Sequence, residues 1–275
     1  MTTTTAGPTA APSTAPEVRA RPAGFVADLV TVAGRALRQI PREPEAVVPA
    51  IVVPLFFFFV NLGALERFTE GAGVVSDFKA FQLPVAIVFA VTGISRASTL
   101  VIDVQGGYFD RLLVTPVKRR ALLLGLMVSD FALVLALSIP VVVLGLLLGV
   151  RFETGPLGIL VFLLLSAAWG VAFTGFPYAI ALKTGNPGAV AASFILFFPF
   201  AFLTSSFVPA SAMTGWMKTV SVYNPVTYLL DALRSITTEG WVADDLVKAL
   251  VAVGAVALVS QTLGFLALRG RVKRS

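Results

Sequence analysis

Six nearly uncharged apolar stretches, each long enough to cross a lipid bilayer as a helix, dominate this sequence of 275 residues. A bilayer core of about 30 Å requires roughly 20 helical residues. The stretches that meet this length are approximately 46–65, 81–102, 121–148, 157–182, 188–208 and 246–268. The composition agrees, because 57% of the residues are hydrophobic and only 13% are charged. We therefore predict an all-α integral membrane protein with six transmembrane helices.

The residue types that are missing argue against several classes of function. The sequence contains no cysteine and no histidine, so it offers neither a Ser-His-Asp system nor a zinc site built on His or Cys. It also lacks the Gly-rich P-loop motif that holds ATP phosphates. Asp244 and Asp245 are the only adjacent carboxylates, so a metal-dependent lipid-modifying active site has no evident ligands. We expect a non-catalytic transport protein without a cofactor of its own.

The Lys and Arg residues are distributed unequally between the two sides of the predicted spans. Fourteen fall in the N-terminal region, in the loops after the second and fourth spans and at the C-terminal end, whereas five fall in the other loops. Because cytoplasmic loops are enriched in Lys and Arg, this bias places both termini in the cytoplasm. An even number of spans agrees, since it puts both termini on the same side. The net charge of +6 therefore reflects membrane topology and does not indicate a nucleic-acid partner.

Two different segments precede the first span. Residues 1–22 are rich in Thr, Ala and Pro, and we predict a disordered tail. In residues 25–40, apolar side chains recur at helical spacing, with Asp28, Arg35 and Arg38 mostly on the opposite side. This pattern predicts an amphipathic helix that lies in the headgroup layer, and residues 23–275 then form one transmembrane domain that contacts membrane lipids.

Two ionisable residues lie within the predicted spans. Arg96 is about six residues from the cytoplasmic end of the second span, and Asp130 is about nine residues into the third. A lone charge at the bilayer centre costs about 2.5 to 3.5 kcal/mol on insertion scales, and these two have similar depths on antiparallel neighbours. We predict that Arg96 and Asp130 pair as a structural connection between helices, with a substrate contact as the alternative.

Two loops have features that could support a mechanism. In loop 103–120, a glycine pair precedes a short amphipathic turn and a basic cluster, which is typical either of an element that docks on a soluble partner or of a plain positive-inside loop. Segment 209–245 is too long and polar for a tight turn, so we expect short re-entrant or interfacial helices there. In this segment Asp231 and Arg234 are either functional or a local ion pair worth a few tenths of a kcal/mol.

Phenylalanine is concentrated in the first and fifth predicted spans. It occupies 56–59 in the first span and five positions between 194 and 202 in the fifth. Such a wall suits a lipid-like or polyaromatic cargo, and side chains that simply face lipid are the alternative.

Three separated stretches resemble, in the same order, segments of ABC-2 type transporter permeases, particularly the daunorubicin/doxorubicin resistance group. They read ALRQIPREPEAVVPAIVVPLFFF, GGYFDRLLVTPVKRRALLLGLMVSD and NPVTYLLDALR. In that family the loop after the second span is a coupling helix that fits a groove on a separate ATPase subunit. Asp110 and Arg111 match the acidic-Arg pair of that loop, although the family more often has Glu at the first position. The coupling residues implied by this resemblance are Tyr108, Phe109, Asp110, Arg111 and Leu112.

The same resemblance implies a gate and a function. The family has short helices that close the outer end of the pathway, and the matching gate candidates here are Asn224, Pro225, Tyr228, Asp231 and Arg234. The resemblance further implies a permease subunit, in the cell membrane of a bacterium, that pairs with itself or a similar chain and exports a hydrophobic or amphiphilic compound. ATP and Mg would then bind to the partner ATPase. A gradient-driven secondary transporter or channel is the alternative, and Asp130 is the only clear intramembrane acid for it.

Overall fold

The computed structural model describes residues 24–39, 44–92, 94–107 and 119–272, and all regular elements within these ranges are helical. The prediction of an all-helical protein is therefore confirmed for this part of the chain. Two 3₁₀ turns, Ser193–Leu196 and Ala210–Ala212, accompany the α-helices. The α-helices in the described ranges are α1 (Phe25–Gln39), α2 (Pro44–Gly71), α3 (Phe78–Val91), α4 (Ala97–Gln105), α5 (Arg119–Leu147), α6 (Gly155–Thr184), α7 (Pro187–Ala192), α8 (Phe197–Phe202), α9 (Gly215–Tyr223), α10 (Pro225–Thr238) and α11 (Ala243–Val272).

Four of these helices are long and apolar enough to cross a membrane. The candidate spans lie in α2, α5, α6 and α11, and they correspond to the first, third, fourth and sixth predicted spans. Large apolar side chains stay exposed on α2 and α11, for example Phe56 at 62% and Leu250 at 60%. Lipid, unlike water, is a favourable environment for such a surface. These features define a multi-pass membrane protein.

The prediction of one continuous second helix over 81–102 is wrong, because α3 and α4 are separate helices joined by residues 92–96. Thr92 leaves the helix with an extended backbone (φ −86°, ψ 131°). The polar groups at the break find partners in distant parts of the chain. Trp169 Nε1 donates to Thr92 Oγ1 (2.8 Å), and the Arg96 amide donates to Asp130 Oδ1 (2.8 Å). Since buried backbone groups need hydrogen-bond partners, these contacts stabilise the interruption.

The fifth predicted span, 188–208, is shorter and less regular than expected. It consists of α7, a 3₁₀ turn and α8, and the helical part ends at Phe202. Asn224 Nδ2 donates to the carbonyls of Phe200 and Leu203 (2.8 Å each), which provides partners for a helix end that would otherwise lack them. The six-span topology and the re-entrant position of α9 and α10 stay predictions.

Within the described part of the chain, helices α6 and α11 form the most extensive helix pair, and their backbones touch. A Cβ atom added at Gly175 would lie 2.6 Å from the Gln261 amide nitrogen and closer still to the Ser260 carbonyl group. Gln261 Nε2 donates to the Val171 carbonyl (2.7 Å), and Ser260 Oγ donates to the Ala172 carbonyl. Small residues at such a crossing let membrane helices approach closely and exchange hydrogen bonds.

Two apolar clusters position the candidate sites. The larger one joins α3, α5, α6 and α10 around fully buried side chains such as Trp169 and Leu233. The smaller one joins α1 and α4 to α5 and α6 around Ala36 and Tyr178. Helix α1 lies along α5, where Ser129 Oγ donates to the Ala33 carbonyl (3.0 Å). Helix α1 is therefore attached to the helical bundle along one side.

Candidate functional site

The five coupling residues, Tyr108 to Leu112, lie outside the described residues, but the helix that leads into them is well fixed. Both carboxylate oxygens of Asp103, near the end of α4, accept from Arg35 Nη2 of α1 at 2.7 Å. Gln105 Nε2 donates to the Gly185 carbonyl at the end of α6 (2.8 Å). Gly107 follows with φ of 68°, a backbone conformation that glycine adopts without steric cost. The end of α4 is thus fastened to both α1 and α6.

The two ionisable residues predicted within the spans, Arg96 and Asp130, lie next to each other. Their contact runs through the Arg96 main-chain amide, which donates to Asp130 Oδ1. Nη2 of the Arg96 guanidinium donates to the Ala36 carbonyl of α1 (2.5 Å). Asp130 has no solvent exposure, and its Oδ2 accepts from Tyr178 Oη of α6 (2.6 Å). Asp130 therefore joins the break in the second span to α6.

Sequence reasoning did not identify three members of this buried polar network: Thr92, Trp169 and Tyr178. Thr92 Oγ1 accepts from Trp169 and donates to the Val88 carbonyl (2.6 Å). A usable signal was present, since Trp169 and Tyr178 are aromatic residues with a polar atom within an otherwise apolar span. When such residues are buried, the polar atom usually has a hydrogen-bond partner. The sequence pattern does not reveal which residue provides that partner.

Arg234, one of the five gate candidates, connects three parts of the chain. Its side chain is buried in α10, where Nε donates to the Phe81 carbonyl of α3 (3.2 Å). Nη1 donates to Ser205 Oγ (2.8 Å) and Nη2 to the Ser205 carbonyl (2.7 Å). The guanidinium also lies 3.6 Å from the centre of the Phe81 ring, in cation–π geometry. Arg234 thereby holds α10 against α3 and against the segment that follows α8.

Asp231 interacts with Arg234 more weakly than the two neutral partners of Arg234, Phe81 and Ser205, do. The separation between Asp231 Oδ1 and Arg234 Nη1 is 3.7 Å, and 43% of the Asp231 side chain is exposed. Partial burial raises the pKa of the Asp231 carboxyl above its ordinary value, while the charge of Arg234 opposes this effect. The local ion pair is present, but it is a minor part of what holds Arg234.

The other three gate candidates start and brace α10. Asn224 Oδ1 accepts from the Val226 amide (3.0 Å) and so caps the helix, and Pro225 occupies its first position. Tyr228 Oη donates to the Val222 carbonyl of α9 (2.5 Å). Asn224 also binds the end of α8, so this cap connects three helices in sequence.

The gate candidates line two different grooves beside α10. Pro225 and Tyr228 line an apolar groove against α6 and α11, with Trp169 and Phe173. Asp231 and Arg234 line a polar groove instead, and the other charged residues of that groove are Asp77, Glu239 and Asp245. Helix α10 therefore separates an apolar surface from a polar one.

The two phenylalanine-rich segments meet through a residue that the sequence pattern did not single out. Phe89 of α3 lies 6.3 Å from Phe57, 5.4 Å from Phe197 and 6.0 Å from Phe202, measured between ring centres. Phe58 is buried, whereas Phe56, Phe57 and Phe59 are between 46% and 62% exposed. The aromatic residues of α2, α3 and α8 thus form a continuous surface in part of the structure.

Comparison with known proteins identifies the class to which this architecture belongs. The family model of ABC-2 type transporters matches residues 27–237, which include most of α1, the loop after α4 and nearly all of α10. The chain belongs to the ABC-2 type transporter family, as the sequence resemblance indicated.

Two relatives show which kind of ABC-2 type transporter the chain resembles. A daunorubicin resistance ABC transporter permease protein of Streptomyces coeruleorubidus is 29% identical over 209 residues, which cover 74% of this chain and 72% of that protein. A protein of Mycobacterium tuberculosis named as a probable doxorubicin resistance ABC transporter permease is 25% identical over 228 residues, covering 82% of this chain and 83% of its own length. Similarity therefore extends over most of each protein.

Proposed function

We propose that this chain is the permease subunit of an ABC exporter that moves a hydrophobic or amphiphilic compound out across a bacterial cell membrane. The observation that carries the proposal is the ABC-2 family match over 27–237, which runs through both the coupling loop and the gate candidates. The names of the two drug-resistance relatives favour a drug, antibiotic or lipid-like cargo. The sequence offers no P-loop, so ATP and Mg would bind to a separate ATPase subunit.

The contacts around α4 provide a physical route for work done by such an ATPase. A push on the loop that contains Asp110 and Arg111 would move the end of α4, and the bidentate contact between Asp103 and Arg35 would carry α1 along with it. Because only residues 92–96 separate the two helices, movement of α4 would also be passed on to the end of α3. Rigid-body movement about a few residues between helices is an established form of conformational switching.

One of the gate candidates, Arg234, contacts the opposite end of α3. Phe81 lies near the start of α3, and Arg234 holds α10 against it. Movement of α3 would therefore change how α10 separates its apolar and polar grooves. In this proposal both termini and the coupling loop are cytoplasmic, and α9 and α10 close the outer end of the path. A second permease subunit, identical or similar, completes the enclosure within the membrane lipids.

Affinity purification and transport assays test the proposal together. The tagged chain, isolated from its native membranes in mild detergent, should co-purify with an ABC ATPase. Inside-out vesicles that contain the complex should accumulate daunorubicin when ATP is added. The double substitution D110A/R111A should reduce both ATPase recovery and uptake at least tenfold.

A matched control uses another pair of oppositely charged residues. The substitutions D244A/K248A remove an exposed ion pair at the start of α11 and should leave both measurements within about twofold of the unchanged protein. Uptake that needs no ATPase and follows a proton gradient would contradict the proposal and favour a secondary transporter.

A further inference from the structure

The ends of α1, α4, α6 and α11 meet at one end of the bundle, and specific contacts fix their arrangement. Arg271 Nη1, in the last turn of α11, lies 3.5 Å from the Leu182 carbonyl oxygen in the last turn of α6. The end of α4 meets α6 through Gln105 and meets α1 through Asp103, as described above. The distribution of Lys and Arg in the sequence predicts that this end of the bundle faces the cytoplasm.

Basic side chains are concentrated at these four helix ends. They are Arg35 and Arg38 of α1, Lys183 of α6, and Arg269 and Arg271 of α11. Asp103 is the only acid among the described residues of the four ends, and Arg35 already binds both of its carboxylate oxygens. Five basic residues and one acid leave a net charge of +4. Each helix C-terminus contributes about half a negative charge, so the four ends together offset only part of this positive charge.

The exposed members of this basic set lie beside exposed apolar surface. Arg38, Lys183 and Arg269 are all exposed. On α11, Arg269 lies one turn beyond Leu266, which is also exposed, and residues three apart share a face of a helix. Leu263, one turn further back, continues this exposed apolar surface. The order of leucines followed by arginine matches a phospholipid, whose acyl chains fill the bilayer core and whose headgroup lies at its surface.

We propose that the ends of α6 and α11 bind the headgroup of an anionic phospholipid. Lys183, Arg269 and Arg271 are its cationic contacts, and an acyl chain lies along the exposed leucines of α11. Basic clusters at the cytoplasmic ends of membrane helices attract anionic lipids in this way. Charges directly beyond exposed leucines lie at headgroup depth, which favours a lipid over the acidic surface of a soluble partner. The inference goes beyond transport and rests only on the membrane topology that accompanies the proposed function.

Competition between two lipids tests the site. The purified full-length chain in a neutral detergent receives equal amounts of phosphatidylglycerol, which is anionic, and phosphatidylcholine, which is zwitterionic. Native mass spectrometry then measures how much of each lipid stays bound. The unchanged chain should prefer the anionic lipid at least tenfold, because each basic residue near an anionic headgroup raises the association constant about fivefold. The variant K183Q/R269Q/R271Q should reduce this preference to about twofold or less.

Two further variants separate lipid binding from net charge and from folding. R67Q/R151Q/K218Q also removes three positive charges, but from exposed residues predicted on the other side of the membrane, and it should keep the tenfold preference. K183Q/R269Q retains Arg271 and its contact with Leu182, so it should unfold at the same temperature as the unchanged chain and still lose most of the preference. Equal lipid preferences in the two triple variants would overturn the proposal, and so would an unchanged chain that binds both lipids equally.

The lipid assay contains neither ATPase nor cargo, so its result is independent of the transport assay. If K183Q/R269Q/R271Q kept the lipid preference but lost ATPase recovery, the basic surface would belong to the interface with the ATPase, and the lipid site would be wrong. A lipid preference that depends on these three residues would support the site even if uptake followed a proton gradient and so contradicted the exporter.

Discussion

Arg96 and Arg234 are both almost completely buried, yet the negative charge nearest to each is placed very differently. Arg96 lies at the break between α3 and α4, and its main-chain amide binds a carboxylate with no solvent exposure. Arg234 lies within a regular helix, and its guanidinium is held by two carbonyls, a hydroxyl and an aromatic ring. The nearby carboxylate of Asp231 is half exposed and 3.7 Å away.

This difference indicates how strongly each region depends on a single side chain. Around Arg234, one guanidinium supplies all the donors described above, so its removal takes away three hydrogen bonds at once. Around Asp130, two donors from separate helices share the task, and Thr92 and Trp169 add a further contact nearby. The Arg234 region should therefore be more sensitive to a single substitution than the Asp130 region.

The largest effect is expected for Arg234→Met. The loss of the charged hydrogen bonds to Phe81 and Ser205 should lower the free energy of unfolding by on the order of 3 kcal/mol. Titration of the purified protein in mixed micelles with a denaturing detergent measures this quantity. Arg67→Met, at an exposed arginine, is the control and should change it by less than about 0.5 kcal/mol. Equal effects of the two substitutions would contradict the role given to Arg234.

A smaller loss is expected for Tyr178→Phe. It removes the donor to Asp130 Oδ2 while the Arg96 amide still binds Oδ1, so we expect a loss of about 2 kcal/mol in the same titration. Tyr228→Phe also deletes one tyrosine hydroxyl, but that hydroxyl contacts the Val222 carbonyl in an exposed setting, so its loss should be less than half as large. A larger loss for Tyr178→Phe than for Arg234→Met would reverse the comparison.

The hydrogen-bond contribution lost in Trp169→Phe should be still smaller, of about 1 kcal/mol. Thr92 loses a donor but keeps its own bond to the Val88 carbonyl, and the phenyl ring fills only part of the volume of the indole. Hydrogen exchange provides a more specific measurement, because exchange at residues 94–96 should accelerate when the break is less well held. Trp216→Phe, at a tryptophan that is 68% exposed, should leave that exchange unchanged.

The smallest effect is expected for Asp231→Asn, and its sign depends on pH. Because the folded state raises the pKa of Asp231, the protonated form is favoured on folding. That contribution is fully present below the ordinary pKa and is lost as the pH rises through the raised value. Asp231→Asn should therefore be neutral or more stable by a few tenths of a kcal/mol at pH 7, and the difference should diminish towards pH 4. A loss above 1 kcal/mol at pH 7 would make the ion pair with Arg234 more important than its geometry indicates.

Apolar run length was sufficient to predict the four long helices, since lipid imposes a minimum length on any spanning helix. The helical spacing of apolar residues predicted the amphipathic α1. Apolar run length did not predict the break at residues 92–96. The break there is stabilised by Asp130 and Trp169, which are far away in the sequence, so no local pattern could reveal it. Similarly, equal predicted depth in the membrane led to the pairing of Arg96 with Asp130, but it could not indicate that the main-chain amide of Arg96 donates to the carboxylate.

The gate candidates show the same limit of prediction from local sequence patterns. The pattern at 224–234 predicted the start of a helix and an ion pair at a spacing of three, and both are present. The stronger partners of Arg234, Phe81 and Ser205, lie on other elements of the fold and could not be read from that pattern. The coupling residues at 108–112 lie outside the described part of the chain, so their role rests on the family resemblance.

The contact at Gly175 has a practical consequence for anyone who wishes to watch this protein at work. Two helices whose main chains touch, with two side-chain bonds about one turn from Gly175, should move as one rigid unit. Spectroscopic labels placed on α6 and α11 should keep a constant separation throughout a cycle and so serve as an internal ruler. Against that fixed reference, displacement of a label on α4 or α10 becomes directly measurable.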